Sequence, residues 1–149
     1  MPKHLLLGLG LLALIGATPA LADPAQIVQE RRDGLRAVAA HMDAMAAIAR
    51  AGADPRPAAE RVDAVQAFFV DFPGRFPAGT QRGAAGLDTR ALPEIWTDRA
   101  NFERISAALG PRLEALGAAA QSGDARGFAA ALQATGGSCA ECHRPFRAR

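Results

Sequence analysis

Apolar side chains recur at helical spacing in four stretches of the chain, two of them in its first half. The first covers about residues 24–50 and the second about residues 57–72, and in both the apolar residues advance by three, four and three positions. These inward positions are Leu35, Val38, Met42 and Met45, then Val62, Val65, Phe69 and Phe72. Asp23 and Pro24 are typical of an N-cap and a first helical position. Two prolines and a glycine within residues 51–57 predict the break between the helices.

Two further helices are predicted in the second half. The third covers about residues 98–121, and its inward residues are Phe102, Ile105, Leu109, Leu113 and Leu116. Gly110 and Pro111 are expected to kink it, because proline removes a backbone hydrogen bond and crowds the preceding turn. The fourth begins near Asp124, and its inward residues, at alternating steps of four and three, are Phe128, Leu132, Thr135, Cys139, Cys142 and Phe146. Residues 73–92 form a long connection without periodicity.

This pattern predicts the fold class. Four amphipathic helices with two short links and one long link are typical of an all-α, antiparallel up-and-down four-helix bundle. The length of 149 residues suits one domain, and the absence of tyrosine agrees with helix rather than sheet. The formal net charge of +2 comes from basic residues scattered among acidic ones, which excludes a nucleic-acid-binding face. No nucleophile stands at a readable spacing from a base, so we do not expect an enzyme.

The N-terminal stretch has the features of a secretory signal peptide. Lys3 gives a positive start, residues 5–15 are apolar, and residues 20–22 read Ala-Leu-Ala, a small-residue cleavage site. The apolar run is shorter than the roughly 20 residues that a membrane span needs. We therefore expect residues 1–22 to be removed and residues 23–149 to form the domain. The mature protein is expected in the periplasm and outside the membrane.

Both cysteines of the chain and one of its three histidines form the motif C-x-x-C-H, as Cys139, Cys142 and His143. On a helix the two thiols lie one turn apart, where they can form thioethers with the two vinyl groups of one haem, and His143 can then coordinate the iron. This predicts one covalently bound haem c. Gly136 and Gly137 each cost about 1 kcal/mol in a helix relative to alanine, and we expect them to leave room for a flat cofactor.

Two other uses of the motif stay open at this point. The cysteine pair could act in a thiol–disulfide oxidoreductase, although such pairs normally follow a strand and the pattern predicts none. A structural zinc site usually has four ligands, and only His41 is available to complete a set with the motif.

The segment CAECHRPFR, residues 139–147, resembles the cytochrome c′ family, the class II cytochromes c, whose motif C-x-x-C-H-x-x-[YF]-R lies near the C-terminus. Residues 28–45, 76–80 and 93–98 also resemble segments of this family. The resemblance implies these roles: thioether anchors Cys139 and Cys142, proximal iron ligand His143, basic proximal residue Arg147, haem-propionate partner Arg31, distal residue Leu35 and pocket aromatic Phe76.

The resemblance also implies a function. Leu35 has no lone pair to offer, so the family pattern implies a five-coordinate, high-spin iron that binds the diatomic gases NO and CO, or carries single electrons to an unknown redox protein. The alternative is a low-spin, six-coordinate electron-transfer cytochrome with Met42 or Met45 as ligand. A homodimer through the first two helices is expected as well. The chain departs from the pattern at Pro145, which is expected to distort the last helical turn and to affect the placement of Arg147.

Trp96 and His41 are given structural rather than functional interpretations. Trp96 is expected to be a packing or capping aromatic, and His41, six residues after Leu35, a surface histidine.

Overall fold

The helices lie close to the positions that the sequence predicts. In this computed structural model, which describes residues 23–149, they are α1 (Pro24–Ala51), α2 (Ala59–Phe69), α3 (Glu94–Thr97), α4 (Arg99–Ala107), α5 (Leu109–Ser122) and α6 (Ala125–Phe146). Short 3-10 turns occupy Arg56–Ala58 and Phe72–Arg75. The predicted signal peptide, residues 1–22, lies outside the described residues. Within the described part, none of the helices combines the length and hydropathy of a transmembrane span.

Helix α1 is fixed at both ends and at one point in between. The Asp23 carboxylate accepts a hydrogen bond from the N–H of Ala25 at 3.0 Å, which confirms the predicted N-cap. The helix ends at Gly52, whose φ of 58° is the left-handed conformation that glycine adopts without strain. In between, a Cβ at Gly34 would lie only 2.0 Å from Cε2 of Phe68 on α2. The two helices can therefore approach this closely only because residue 34 has no side chain.

Helix α2 is shorter than predicted. It begins at Ala59 and ends at Phe69, whereas the apolar spacing extends it to Phe72. Asp71 turns the chain with a φ of 50°, a left-handed conformation that aspartate tolerates better than most residues. Pro73 also disfavours helical backbone at the residue before it. Phe72 is buried as expected, but it reaches the interior from a 3-10 turn.

The third predicted helix consists of two helices. The helix is interrupted at Ala108, so that α4 and α5 are separate helices instead of one continuous, bent helix. Pro111 explains the position of the break, because it has no N–H to donate to Ala107 and its ring crowds that carbonyl. The sequence locates this irregularity correctly but underestimates it. Between the long connection and α4, residues Glu94–Thr97 form the single-turn helix α3.

Pro145 does not end α6 early. The helix continues to Phe146, and the N–H of Arg147 still donates to the carbonyl of His143 at 3.1 Å. The expected distortion is therefore wrong for the backbone up to Phe146. After the helix, Arg147 is extended and forms an antiparallel bridge with Ala91. This bridge fixes the end of α6 against the connection that precedes α3.

The helices pack in a ring, which confirms the predicted four-helix bundle. Helix α1 contacts α2, α2 contacts α5, α5 contacts α6, and α6 returns to α1. Two groups of buried residues fill the interior. The first, which we name the bundle core, is Val38, Met45, Ala58, Val62, Val65, Leu109, Leu113, Leu116, Ala120, Phe128 and Leu132. The second, the aromatic cluster, is Phe72, Phe76, Ala91, Ile95, Phe102, Ile105 and Phe146.

Candidate functional site

A cavity of about 450 Å³ with mostly apolar walls lies beside the aromatic cluster. Its lining comes from all six helices and from the connection between α2 and α3. All the site residues predicted from the sequence line it, and they are Arg31, Leu35, Phe76, Cys139, Cys142, His143 and Arg147. The fold therefore brings the motif at one end of the chain to residues of the first helix.

The two cysteines are half-buried in the cavity wall, and neither forms a disulfide. Burial raises the pKa of both thiols. For Cys142 the pKa rises to about 11, where the charges of Cys139 and Glu141 add to the effect of burial. Catalytic cysteines of thiol–disulfide oxidoreductases have lowered pKa values instead. The environment of this pair therefore favours neutral thiols over thiolates.

His143 follows Cys139 by one helical turn and lines the same cavity. Partial burial lowers the pKa of its imidazole, and the positive charges of Arg147 and Arg90 lower it further. The neutral ring is thus favoured near neutral pH, and a neutral imidazole has a lone pair for a metal ion. Among residues 23–149, His143 is the one histidine in the cavity lining.

His41 does not lie at the surface, so that expectation is wrong. The side chain is half-buried, and its Nδ1 is buried without a hydrogen-bond partner in the part of the chain that the structure describes. His41 follows the buried Val38 by three residues and precedes the buried Met45 by four, which puts it on the inward side of α1. The spacing of six residues between Leu35 and His41 does not reveal this inward position. His41 lies outside the cavity lining.

Arg31 is buried, with 3% of its surface exposed, and its guanidinium binds the long connection after α2. Nη1 donates to the carbonyl of Arg75 at 3.1 Å and to Oγ1 of Thr80 at 3.2 Å. Nη2 donates to the carbonyl of Thr80 at 3.1 Å and to Oγ1 of Thr89 at 2.9 Å. All these acceptors are neutral, and burial lowers the pKa of the guanidinium to about 10. Arg31 therefore holds the connection against α1 and also faces the cavity.

Apolar side chains form the rest of the lining near Arg31. The Phe76 ring lies under its guanidinium at 4.3 Å from the ring centroid, and Leu35 packs against the aromatic cluster. Met42 and Met45 do not line the cavity, because both pack in or against the bundle core.

Comparison with known proteins decides the family. The cytochrome c′ family model matches residues 26–147. Cytochrome c′ of Rhodospirillum rubrum is 34% identical over 149 residues, which cover 98% of this chain and 99% of that protein. The chain belongs to the cytochrome c′ family.

Solved structures of cytochromes c′ share the fold. The crystal structure of cytochrome c′ from Rubrivivax gelatinosus has a TM-score of 0.75 and 29% identity, covering 85% of this chain and 98% of that one. A nitric oxide complex of a variant from Alcaligenes xylosoxidans has a TM-score of 0.74 and 29% identity, covering 87% and 98%. A carbon monoxide complex of another variant from that organism has a TM-score of 0.75 and 28% identity, covering 86% and 98%.

Membership of the cytochrome c′ family implies a covalently bound c-type haem, and the cavity fits this group. The macrocycle is apolar apart from two propionates, so it needs apolar walls with a cationic region. The lining contains one aspartate and these five arginines: Arg31, Arg32, Arg36, Arg90 and Arg147. Two neutral thiols and one neutral imidazole are the donors that covalent attachment and iron coordination require. No group of three or more His, Cys, Asp or Glu side chains in residues 23–149 is arranged to hold a metal ion.

The two glycines before the motif have no packing explanation in the protein itself. A Cβ at Gly136 or Gly137 would meet no protein atom within 4 Å, and the cavity lining on this part of α6 begins at Ser138. Trp96 is a packing residue, as expected, because it lies against the aromatic cluster and its Nε1 donates to the carbonyl of Pro77 at 3.2 Å.

Sequence reasoning missed several residues of the site. Thr80 and Thr89 anchor Arg31, and Asp88 pairs with Arg32 across the cavity rim. Ser106 adds a hydroxyl to the lining. The threonines and the aspartate lie in the connection without periodicity, so no pattern singles them out. The only sequence signal that includes Thr80 is the family resemblance of residues 76–80, in which it is the last residue.

Proposed function

We propose that this cytochrome c′ family member is a periplasmic haem protein with a high-spin, five-coordinate iron that binds NO and CO and can also carry single electrons. One observation carries the proposal: the cavity combines Cys139, Cys142 and His143 with Leu35, while Met42 and Met45 pack outside it. The NO and CO complexes of similar cytochromes c′ support the choice of ligands. The role is binding and electron carriage, without substrate turnover.

Each predicted residue receives a role in this proposal. When bound, the haem iron supplies the site for a diatomic ligand and the one-electron couple. Cys139 and Cys142 would hold the macrocycle through two thioethers, and His143 would supply a nitrogen ligand to the iron from the same helix. Phe76 contributes an aromatic wall beneath the Arg31 guanidinium.

The basic residues of the lining suit the anionic edge of the macrocycle. Arg31 is the proposed propionate partner, although its two Nη atoms are already engaged with the connection after α2. Burial lowers the pKa of the His143 imidazole, and the charge of Arg147 lowers it further, so both favour the neutral ring.

Leu35 decides between five and six ligands. Its aliphatic side chain has no lone pair to offer a metal ion and no donor for a hydrogen bond to a gas. If a haem is held by Cys139, Cys142 and His143, a diatomic ligand would compete with Leu35 for space in the cavity, which would favour the strong ligand NO over O₂. The six-coordinate alternative requires Met42 or Met45 to leave the bundle core, and Met45 is fully buried there.

Electron paramagnetic resonance of the ferric protein at neutral pH tests the ligand number. We expect a high-spin or spin-admixed signal in the wild type and a shift toward low spin in Leu35→Met. Val38→Met is the matched control, because it adds the same thioether in the bundle core, outside the cavity lining. A low-spin wild type with a methionine-to-iron charge-transfer band would replace this proposal with the six-coordinate one.

Covalent attachment is tested at the motif. The wild type, expressed with a haem-maturation system, should gain the mass of one haem and keep it after acid–acetone extraction. In the Cys139→Ala, Cys142→Ala double variant the haem should become extractable. A wild-type protein without a Soret band or a pyridine haemochrome spectrum would instead favour a thiol–disulfide oxidoreductase, against the raised pKa of both thiols.

Export and assembly complete the proposal. We expect the periplasmic protein to begin at Asp23 after removal of residues 1–22, which N-terminal sequencing would detect. We also expect a homodimer through α1 and α2, where alanines permit close helix approach. A monomer in sedimentation at tens of micromolar would contradict the dimer and leave the haem site unaffected.

A further inference from the structure

A second space adjoins the cavity on the outer side of the bundle. It is a groove of about 420 Å³ between the end of α2 and the junction of α4 with α5. Phe69, Ser106 and Leu109 line both the groove and the cavity. At these positions the wall between the two spaces is therefore a single side chain thick.

The break between α4 and α5 forms one side of this groove. Ala107 and Gly110 flank the break, line the groove and are exposed. Val70 lines the opposite side just after α2, and 71% of its surface is exposed. Small residues at a helix break leave a depression where a continuous helix would present a ridge of side chains. The irregularity caused by Pro111 thus lies beside Ser106 and Leu109, which line both the groove and the cavity.

A gas that binds in the cavity needs a way in. Besides the residues shared with the groove, the cavity lining contains Arg32, Arg36 and Arg90, which are partly or fully exposed, and a bound porphyrin would occupy space beside them. Crossing the wall beside the groove at Phe69 or Leu109 requires the movement of one apolar side chain. Phe69 is partly covered and Leu109 is 8% exposed.

We propose that the groove at the α4–α5 break is a second entrance through which NO and CO reach the cavity, with Phe69, Ser106 and Leu109 as its gate. This inference rests on the proposed gas binding. It adds a function for the helix break, which the haem site itself does not need.

Flash photolysis of the CO complex of the haem-loaded protein tests the entrance. Ala107→Trp fills the groove from its exposed side, and we expect it to slow bimolecular CO association on the order of tenfold. Ala108→Trp is the matched control, because Ala108 is the next residue, is also exposed and lines neither space. We expect it to leave the rate unchanged. Leu109→Ala should accelerate association.

Equal association rates in Ala107→Trp, Ala108→Trp and the wild type would overturn the proposal. A readout independent of CO is methyl NMR of the haem-loaded protein under xenon pressure. Xenon should shift the methyl resonances of Val70 and Leu109 in the wild type and in Ala108→Trp, but not in Ala107→Trp. If the wild type binds no CO, the proposed function fails and the xenon experiment still decides whether the groove admits a small apolar gas. Absence of xenon shifts in the wild type would overturn the entrance.

Discussion

The bundle core and the aromatic cluster fill the two parts of the interior in different ways. The bundle core consists of side chains at helical spacing that meet each other, and Met45, Val62 and Leu116 have no exposed surface there. The aromatic cluster borders the cavity, and its rings contact each other edge to face. Their centroids are 5.2 Å apart for Phe72 and Phe76, 5.1 Å for Phe76 and Phe102, and 5.2 Å for Phe102 and Phe146.

The difference shows how one small bundle provides both stability and a site. Helix periodicity is sufficient to build the bundle core. The rings of the aromatic cluster come from a 3-10 turn, a connection, α4 and α6, so they are correctly placed only when the whole chain is folded. We therefore expect substitutions in the bundle core to act on stability alone, and those around the cavity to act differently with and without haem.

The largest effects are expected from truncating one phenylalanine in each region. Phe128→Ala removes a fully buried ring from the bundle core and should lower the free energy of unfolding by about 3–5 kcal/mol, equally with and without haem. Phe102→Ala should cost a similar amount with haem and clearly less without it, because its surroundings can collapse into the open cavity. Urea unfolding of both variants, each with and without haem, measures the four losses in the free energy of unfolding. An equal loss for Phe102→Ala in the two forms would contradict the distinction.

Arg31→Met should have the next largest effect. It leaves the carbonyl and hydroxyl oxygens of Thr80 without a donor, each costing about 1–3 kcal/mol unless water replaces the guanidinium, whereas Oγ1 of Thr89 still accepts from the N–H of Ala91. Amide hydrogen exchange should accelerate in the connection 73–92 more than in α5. Arg61→Met, at an exposed position of α2, is the control. It should change neither the free energy of unfolding nor the rate of amide exchange in the connection. Unchanged exchange in the connection would show that Arg31 does not hold it.

Two glycine substitutions should differ in sign. Gly34→Ala forces a methyl group into the Phe68 ring and should destabilise the protein by about 1–2 kcal/mol, even after the gain in helix propensity. Gly137→Ala meets no protein atom and should stabilise the haem-free chain by about 0.5–1 kcal/mol. Thermal unfolding of the haem-free protein compares the two. If Gly137→Ala also disturbs the haem spectrum, the macrocycle lies close to the backbone there.

The smallest effect is expected at the cavity rim. Arg32 and Asp88 form an ion pair, but the Asp88 side chain is 85% exposed, so Asp88→Asn should cost less than about 1 kcal/mol and less still at high salt. Asp33→Asn, which removes the exposed pair with Arg36, is the control. A loss of several kcal/mol would mean that the rim contributes to the fold as strongly as the aromatic cluster does.

The sequence predicts local chemistry better than long-range contacts. Cys139, Cys142 and His143 lie within one helical turn, so their spacing alone suggests a shared role. Arg31 was assigned through family resemblance, but its acceptors in residues 75–89 were not predicted. Contacts across 44 to 58 residues leave no periodic signal in the sequence.

The incorrect predictions for the end of α2 and for the burial of His41 also have local causes. Phe72 continues the spacing of α2 and is buried, but Asp71 and Pro73 end the helix before it. His41 lies six residues after Leu35, which is off the inward face, but three residues after Val38 and four before Met45, which is on it. Spacing identifies the buried side of a helix, whereas the point where the backbone departs from helical geometry depends on single residues.

The burial of Arg31 has a consequence for the energy of adding an electron. A guanidinium surrounded by neutral acceptors keeps its full positive charge, and a wall of low polarity screens that charge weakly. If the proposed haem is bound in the cavity, Arg31 would stabilise an electron added to it and shift the reduction potential toward positive values. The residue that holds the connection in place would then also make the haem easier to reduce.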